Sequence, residues 1–177
     1  MKGLVFTEFS EMVEDRFGLA VCDAVVSESS SGGAFTAVGD YDHRELLGMV
    51  AALSRETGTP AAELVESFGC HLFHRFTTQF PALFEGVGGP LELLEHVQDH
   101  VHMQVRRIHP DATFPSFETR REGDTLHMRY SSPRCLSDLA RGLIRGCLEH
   151  YETPGTVETV RETEDGSVVR FTVRIDD

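Results

Sequence analysis

The 177-residue chain is expected to adopt an α+β fold: an N-terminal helical subdomain followed by C-terminal helices and a small antiparallel sheet. Three features predict it. Apolar residues recur at helical spacing through the first half, two hairpin signals lie in the second half, and one long amphipathic stretch separates those hairpins.

Leu4, Val5, Phe9, Met12, Val13 and Phe17 recur at helical intervals, and Gly18 supplies a stop. A second apolar helix follows over about Ala20 to Val26, and the Ser- and Gly-rich run from Ser27 to Gly33 reads as a loop. Asp42, with Glu45 three residues on, resembles a capping box that opens a helix ending near Gly58. Thr59-Pro60 begins another, with proline in the favoured first turn. Helical patterning resumes from Gly69 to Phe80 and stops at Pro81. After a break at Gly86 to Pro90, one helix runs from Leu91 to Ile108, and Pro110 and Pro115 bracket a non-helical connection. Strands are expected at Ser116–Arg121 and Leu126–Ser131 around Glu122-Gly123-Asp124, and a helix over about Leu136 to Tyr151. The chain closes with a hairpin, Val157–Thr163 and Ser167–Ile175, turning at Asp165-Gly166.

Composition narrows the function. Sixteen basic against 29 acidic residues leave a net charge of −13, with 40% hydrophobic and 25% charged residues. These are values of a globular chain, and the acidic balance argues against nucleic acid or an anionic membrane as partner. No run approaches the roughly 18 apolar residues of a membrane span. Lys2 is followed only by Leu4-Val5-Phe6 before Thr7 and Glu8, which is no secretory signal. Cys22, Cys70, Cys135 and Cys147 form no C-x-x-C pair and are expected as free thiols of a cytoplasmic protein, with no spacing that supports a zinc site. Residues 1–177 are expected to form a single domain.

The residues that carry chemistry lie in the second half. Tyr130, Ser132 and Arg134 stand at i, i+2 and i+4 in His-Met-Arg-Tyr-Ser-Ser-Pro-Arg. On an extended segment their side chains share one face. They then offer a phenol, a hydroxyl and a planar guanidinium fork to one ligand, which suits a carboxylate. Pro133 is tolerable there if an edge strand passes into a turn. Upstream, Leu94, Val97, Val101, Val105 and Ile108 form an apolar stripe. At about 100° per residue, His102 falls on its shoulder, His100 on the other flank and His96 near the solvated face. Helix phase therefore prefers His102 to His100 only modestly. An imidazole for a metal together with a grip for carboxylates suggests a cofactor that carries both, and haem is that cofactor. In isolation the triplet reads more simply as an edge strand ending in a turn, and His102 as a satisfied core-edge histidine.

The company these residues keep changes the reading. Met1-Lys2-Gly3, Phe68-Gly69, Phe80-Pro81, Asp99-His100-Val101-His102-Met103-Gln104-Val105, Ala112-Thr113-Phe114-Pro115, Tyr130-Ser131-Ser132-Pro133-Arg134 and Gly142-Leu143-Ile144 follow one another in an order and spacing that resemble the haem-nitric-oxide/oxygen-binding (H-NOX) family. That family includes the haem domain of soluble guanylate cyclase. The resemblance runs from Met1 to about Ile175. It implies haem b buried between the two subdomains, with ferrous iron bound by His102 and propionates held by Arg134 with Tyr130 and Ser132. Pro115 matches a family proline that presses on the porphyrin and keeps it non-planar.

By the same resemblance the distal wall comprises Val5, Phe9, Leu72, Phe76, Leu139 and Leu143. Leu139 stands where oxygen-holding members carry a tyrosine, and His71 and His74 fall outside the pocket. None of the six donates a hydrogen bond, so the pocket is expected to take nitric oxide and carbon monoxide and to select against oxygen. The resemblance implies a bacterial-type, non-enzymatic sensor. Iron–histidine bond cleavage and helix displacement would report to a histidine kinase or a cyclic-dinucleotide enzyme. Two rival classes stay open at this stage. One is a haem- or zinc-dependent enzyme using His71, His74, His96 or His100, although no H-E-x-x-H occurs. The other is a cofactor-free interaction domain.

Overall fold

α1 (Gly3–Phe17) buries Phe6, Phe9, Met12 and Val13, and Gly18 ends it at φ 88°. The computed structural model describes residues 1–29 and 31–176, without the side chain of Ile108; Ser30, inside the expected Ser27–Gly33 loop, lies outside the described residues. α2 (Leu19–Ser27) follows at once and packs back on α1 through Cys22 and Val25. Asp42 caps α3 (His43–Thr57) by accepting the Arg44 N–H at 2.9 Å. The reciprocal half of the expected capping box is not formed. Glu45 instead accepts from the Ser31 hydroxyl at 3.2 Å and ties α3 to the preceding loop.

α4 (Ala61–Gln79) is one unbroken helix, not two segments meeting at Gly69, and Pro60 precedes its first residue. Gly69 is permitted in mid-helix because α7 lies against it. A Cβ there would stand 2.4 Å from the Leu139 carbonyl oxygen and 2.9 Å from Gly142 Cα. Pro81 ends the helix as expected and opens a single 3-10 turn, Pro81–Leu83.

The expected helix from Leu91 to Ile108 is divided. α5 (Pro90–Glu95) ends at His96, a π-helical turn spans Gln98–His102, and α6 (Met103–Ile108) follows. The His102 N–H reaches the Val97 carbonyl at 2.9 Å, a five-residue step. Such a turn holds more residues than an α-turn, so side-chain phase beyond it no longer follows 100° per residue.

β1 (Ser116–Glu122), β2 (Thr125–Ser131), β3 (Gly155–Arg161) and β4 (Val168–Ile175) form an antiparallel sheet in the order β1-β2-β4-β3. Leu126, Met128 and Tyr130 of β2 stand opposite Val173, Phe171 and Val169 of β4, all buried on one face. α7 (Ser137–His150) covers that face with Ala140, Ile144, Cys147 and Leu148. The architecture is thus α+β, with seven α-helices and four strands among the described residues.

Two apolar cores result. One joins α1 to α4; the other joins Phe73, α5, the sheet and α7. Leu143 packs against both. No described helix is long and apolar enough to cross a membrane.

Candidate functional site

The π-helical turn places His102 against the connection that leads into β1. Its imidazole stacks on Phe114, with ring centroids 4.4 Å apart and planes 17° from parallel. Phe117, the second residue of β1, lies at 6.1 Å. The turn is anchored from both sides. Gln98 Oε1 accepts the Phe117 N–H at 2.8 Å, and the Thr119 hydroxyl donates to the Glu95 carbonyl at 3.0 Å.

Within this frame His102 Nδ1 is buried without a hydrogen-bond partner among the described residues. Burial, and then the neighbouring Arg106 charge, push the imidazole down to about 4, so the ring is neutral near pH 7. A neutral imidazole with a lone pair is the form that binds a metal. His100 is differently occupied, with its Nε2 3.0 Å from the Leu83 carbonyl oxygen. The structure therefore separates the two histidines that helix phase left nearly equal.

Tyr130, Ser132 and Arg134 do not share a strand face. β2 is an interior strand rather than an edge, and it ends at Ser131. The Ser132 N–H still donates across to the Ser167 carbonyl at 2.8 Å. Pro133 comes one residue later, where no further ladder bond is asked of it. A turn then brings the Arg134 N–H to the Ser132 hydroxyl at 3.2 Å.

Tyr130 points into the second core, and its hydroxyl accepts the Leu136 N–H at 3.1 Å, fixing the approach to α7. Burial pushes its pKa above the ordinary phenol value despite the hydrogen bonds from Ser132 and Leu136. Arg134 directs its guanidinium at Thr113, donating to the carbonyl oxygen at 3.1 Å and to the hydroxyl. No carboxylate pairs with it among the described residues. Thr113 is followed directly by Phe114 and Pro115, so the arginine and the histidine are braced by the same short connection.

The six apolar residues assigned to a distal wall all belong to, or pack against, the first core. Phe9 and Leu72 are buried in the first core, and Val5, Phe76, Leu139 and Leu143 pack against it. Glu8, beside Phe9, has a carboxylate only 2% exposed. It accepts from Arg75 Nε at 2.6 Å and from Gln79 Nε2 at 2.5 Å, locking α1 to α4. His71 lies 3.7 Å from the same carboxylate, and His74 contacts Glu149 of α7. Tyr151 packs against the second core.

A group carrying iron and carboxylates fits this chemistry. It would satisfy the unpartnered His102 nitrogen and give the Arg134 guanidinium an anion in place of a neutral threonine. Sequence reasoning missed Phe114 as the stacking partner of His102, Thr113 as the brace of Arg134, and Glu8 as the tie behind Phe9. Phe114 and Thr113 stand in a run whose spacing the sequence displays, but their partners lie across the fold.

Comparison with known proteins points the same way. A family profile described as Haem-NO-binding matches residues 2–159. No curated protein matches the chain. Among solved structures, the Fe(II) unliganded H-NOX protein from K. algicida is 31% identical, with a TM-score of 0.94 over 100% of this chain and 97% of that one. A point mutant of the same protein is 32% identical, with the same TM-score and coverage. An H-NOX protein from S. oneidensis, solved in the Fe(II)NO ligation state, is 20% identical, covers 100% of both chains at a TM-score of 0.91, and shares the fold.

Proposed function

Because the chain belongs to the Haem-NO-binding, or H-NOX, family, we propose that it is a haem-based gas sensor that takes nitric oxide and carbon monoxide and excludes oxygen. Residues 1–177 act as one sensor domain without catalytic activity of its own. We place it in the cytoplasm, a reading supported by four free thiols. The observation that carries the proposal is His102, a neutral imidazole with a buried, unpartnered nitrogen in a chain of this family.

In this reading His102 is the single protein ligand of ferrous haem b. Arg134 grips the propionates bidentately, with Tyr130 and Ser132 completing their hydrogen bonds. Pro115, next to Phe114, would press on the macrocycle and keep it non-planar. When bound, the haem would supply a ferrous iron with affinity for nitric oxide and carbon monoxide, and His102 would be the protein ligand whose bond to it nitric oxide weakens. Val5, Phe9, Leu72, Phe76, Leu139 and Leu143 line the gas side and offer no donor. Dioxygen gathers negative charge on binding and needs one; nitric oxide and carbon monoxide depend on one far less.

A His102 no longer held by the iron would move with its π-helical turn. That turn is the bistable element: relaxing it to α geometry rotates α6 relative to α5. A partner, a histidine kinase or a cyclic-dinucleotide enzyme, reads the displaced helix. Ligand-biased occupancy of two arrangements is what an allosteric output requires.

His102→Gly tests the assignment. The variant should fold, with an unchanged far-ultraviolet spectrum, yet lose its Soret absorption on desalting unless imidazole is supplied. If His100→Gly behaves this way and His102→Gly keeps its haem, the ligand has been misassigned.

A further inference from the structure

We propose that Cys70, His74 and Glu149 form a second metal site, selective for a borderline-soft divalent cation such as zinc, that staples α4 to α7. The site is independent of the haem reading, since none of its three residues belongs to that centre. Cys70 and His74 stand at i and i+4 on α4, so their side chains project from one helix face. Glu149 projects from the last turn of α7 across the closest helix contact in the molecule's two-core junction.

The three donor atoms converge. Cys70 Sγ donates to Glu149 Oε2 at 2.9 Å, His74 Nε2 lies 3.3 Å from the same oxygen, and all three atoms lie within 4.8 Å of one another. Around a tetrahedral zinc, with bonds of about 2.0–2.3 Å, neighbouring ligand atoms stand roughly 3.3–3.8 Å apart. Two separations, 2.9 and 3.3 Å, lie just below or at that range and the third is no more than 4.8 Å, so small side-chain rotations suffice and the helices need not move.

The donor types make the selection. Thiolate sulfur with imidazole nitrogen disfavours magnesium and calcium, which take oxygen. On binding, the Cys70 thiol releases its proton to solvent as the zinc–sulfur bond forms. No electron is transferred. Thiolate and carboxylate then balance the two positive charges of the ion.

Half-exposed His74 and Glu149 side chains, at 44% and 49%, leave a path from solvent and room for a water as fourth ligand. Arg145 does not close the site. It stands 3.9 Å from Glu149 Oε1, the oxygen turned away from the cluster, and holds Glu66 more closely at 2.8 Å. The consequence is mechanical. α4 carries Leu72 and Phe76 and α7 carries Leu139 and Leu143, so a bound zinc restrains the two helices that contribute four of the six apolar residues named above.

Isothermal titration of zinc into chelator-treated, tag-free full-length protein tests the site. One equivalent should bind. Cys70→Ser and His74→Ala should each weaken binding at least tenfold, and Glu149→Gln should do so as well. Cys135→Ser and His96→Ala should leave it unchanged. Zinc should also raise the Tm of the wild-type protein and leave that of Cys70→Ser where it was. Absence of binding overturns the proposal. So does binding that survives Cys70→Ser and His74→Ala and is lost in His96→Ala, which would place the ion on the π-helical segment instead.

Discussion

At Arg134 the guanidinium's hydrogen bonds among the described residues go to the hydroxyl and carbonyl of Thr113, a neutral pairing that an anion can replace at a gain. A charge-assisted bond contributes about 1.5–3 kcal/mol. Arg134→Ala should therefore speed haem loss roughly 10- to 150-fold, read as transfer to an excess of haem-scavenging globin. An unchanged dissociation rate would remove Arg134 from the site. The identity of this residue was legible in the Tyr130-x-Ser132-x-Arg134 spacing, but its geometry was not. Strand alternation was extended past Ser131, where β2 stops and a turn takes over. His102 shows the same limit. Its apolar shoulder was visible in the sequence, whereas the π-helical turn that sets its phase depends on anchors from β1, through Gln98 and Thr119, that local spacing does not encode.

α4 and α7 meet through Gly69, Gly142 and Gly146, and this contact sets how closely the two cores approach. A Cβ at Gly142 would lie 2.0 Å from the Glu66 carbonyl oxygen, a backbone atom that cannot swing aside. Gly142→Ala should force the helices apart and cost about 1–3 kcal/mol, measured by urea denaturation; stability equal to wild type would contradict the contact. The β3–β4 turn offers a second check. The Ser167 hydroxyl and N–H hold the Asp165 carboxyl down to about 2, with the N–H bond at 2.9 Å. A folded value below the unfolded one adds stability that is complete above about pH 4 and disappears as pH falls through the folded value. Ser167→Ala should return the Asp165 titration, followed by NMR, part of the way to the ordinary carboxylate range; no movement would show that the hydroxyl is idle. Asp165-Gly166 was readable in advance because turn chemistry is local. The role of Gly69 was not, because a glycine inside a helix reads as a break until the partner helix is known.

Across the whole molecule, the six apolar residues assigned to the wall group with the first core, and the segment that carries His102 packs on the second through Val97 and Val101. Phe9 and Leu72 lie in the first, and the strand and helix partners of the His102 segment lie in the second. Leu143 touches both. That division makes the junction between cores the natural place for a ligand to bias one arrangement over another. The α+β order, the hairpins and the helix carrying Leu139 and Leu143 were legible from periodicity and turns. The assignment of six distant apolar residues to one wall was not; it rests on family resemblance, since no local pattern joins Val5 to Leu143. The proposed gas selection rests on the hydrogen-bond donor that these six side chains lack. Absorption spectra of the reduced protein under nitric oxide, carbon monoxide and air test this most directly. Distinct nitric oxide and carbon monoxide spectra are expected and, in air, no stable oxygen complex but slow oxidation to the ferric form. Leu139→Tyr should supply the absent donor and slow that oxidation. A long-lived oxygen spectrum from the unmodified protein would contradict the account and place a hydrogen-bond donor where it puts only hydrocarbon.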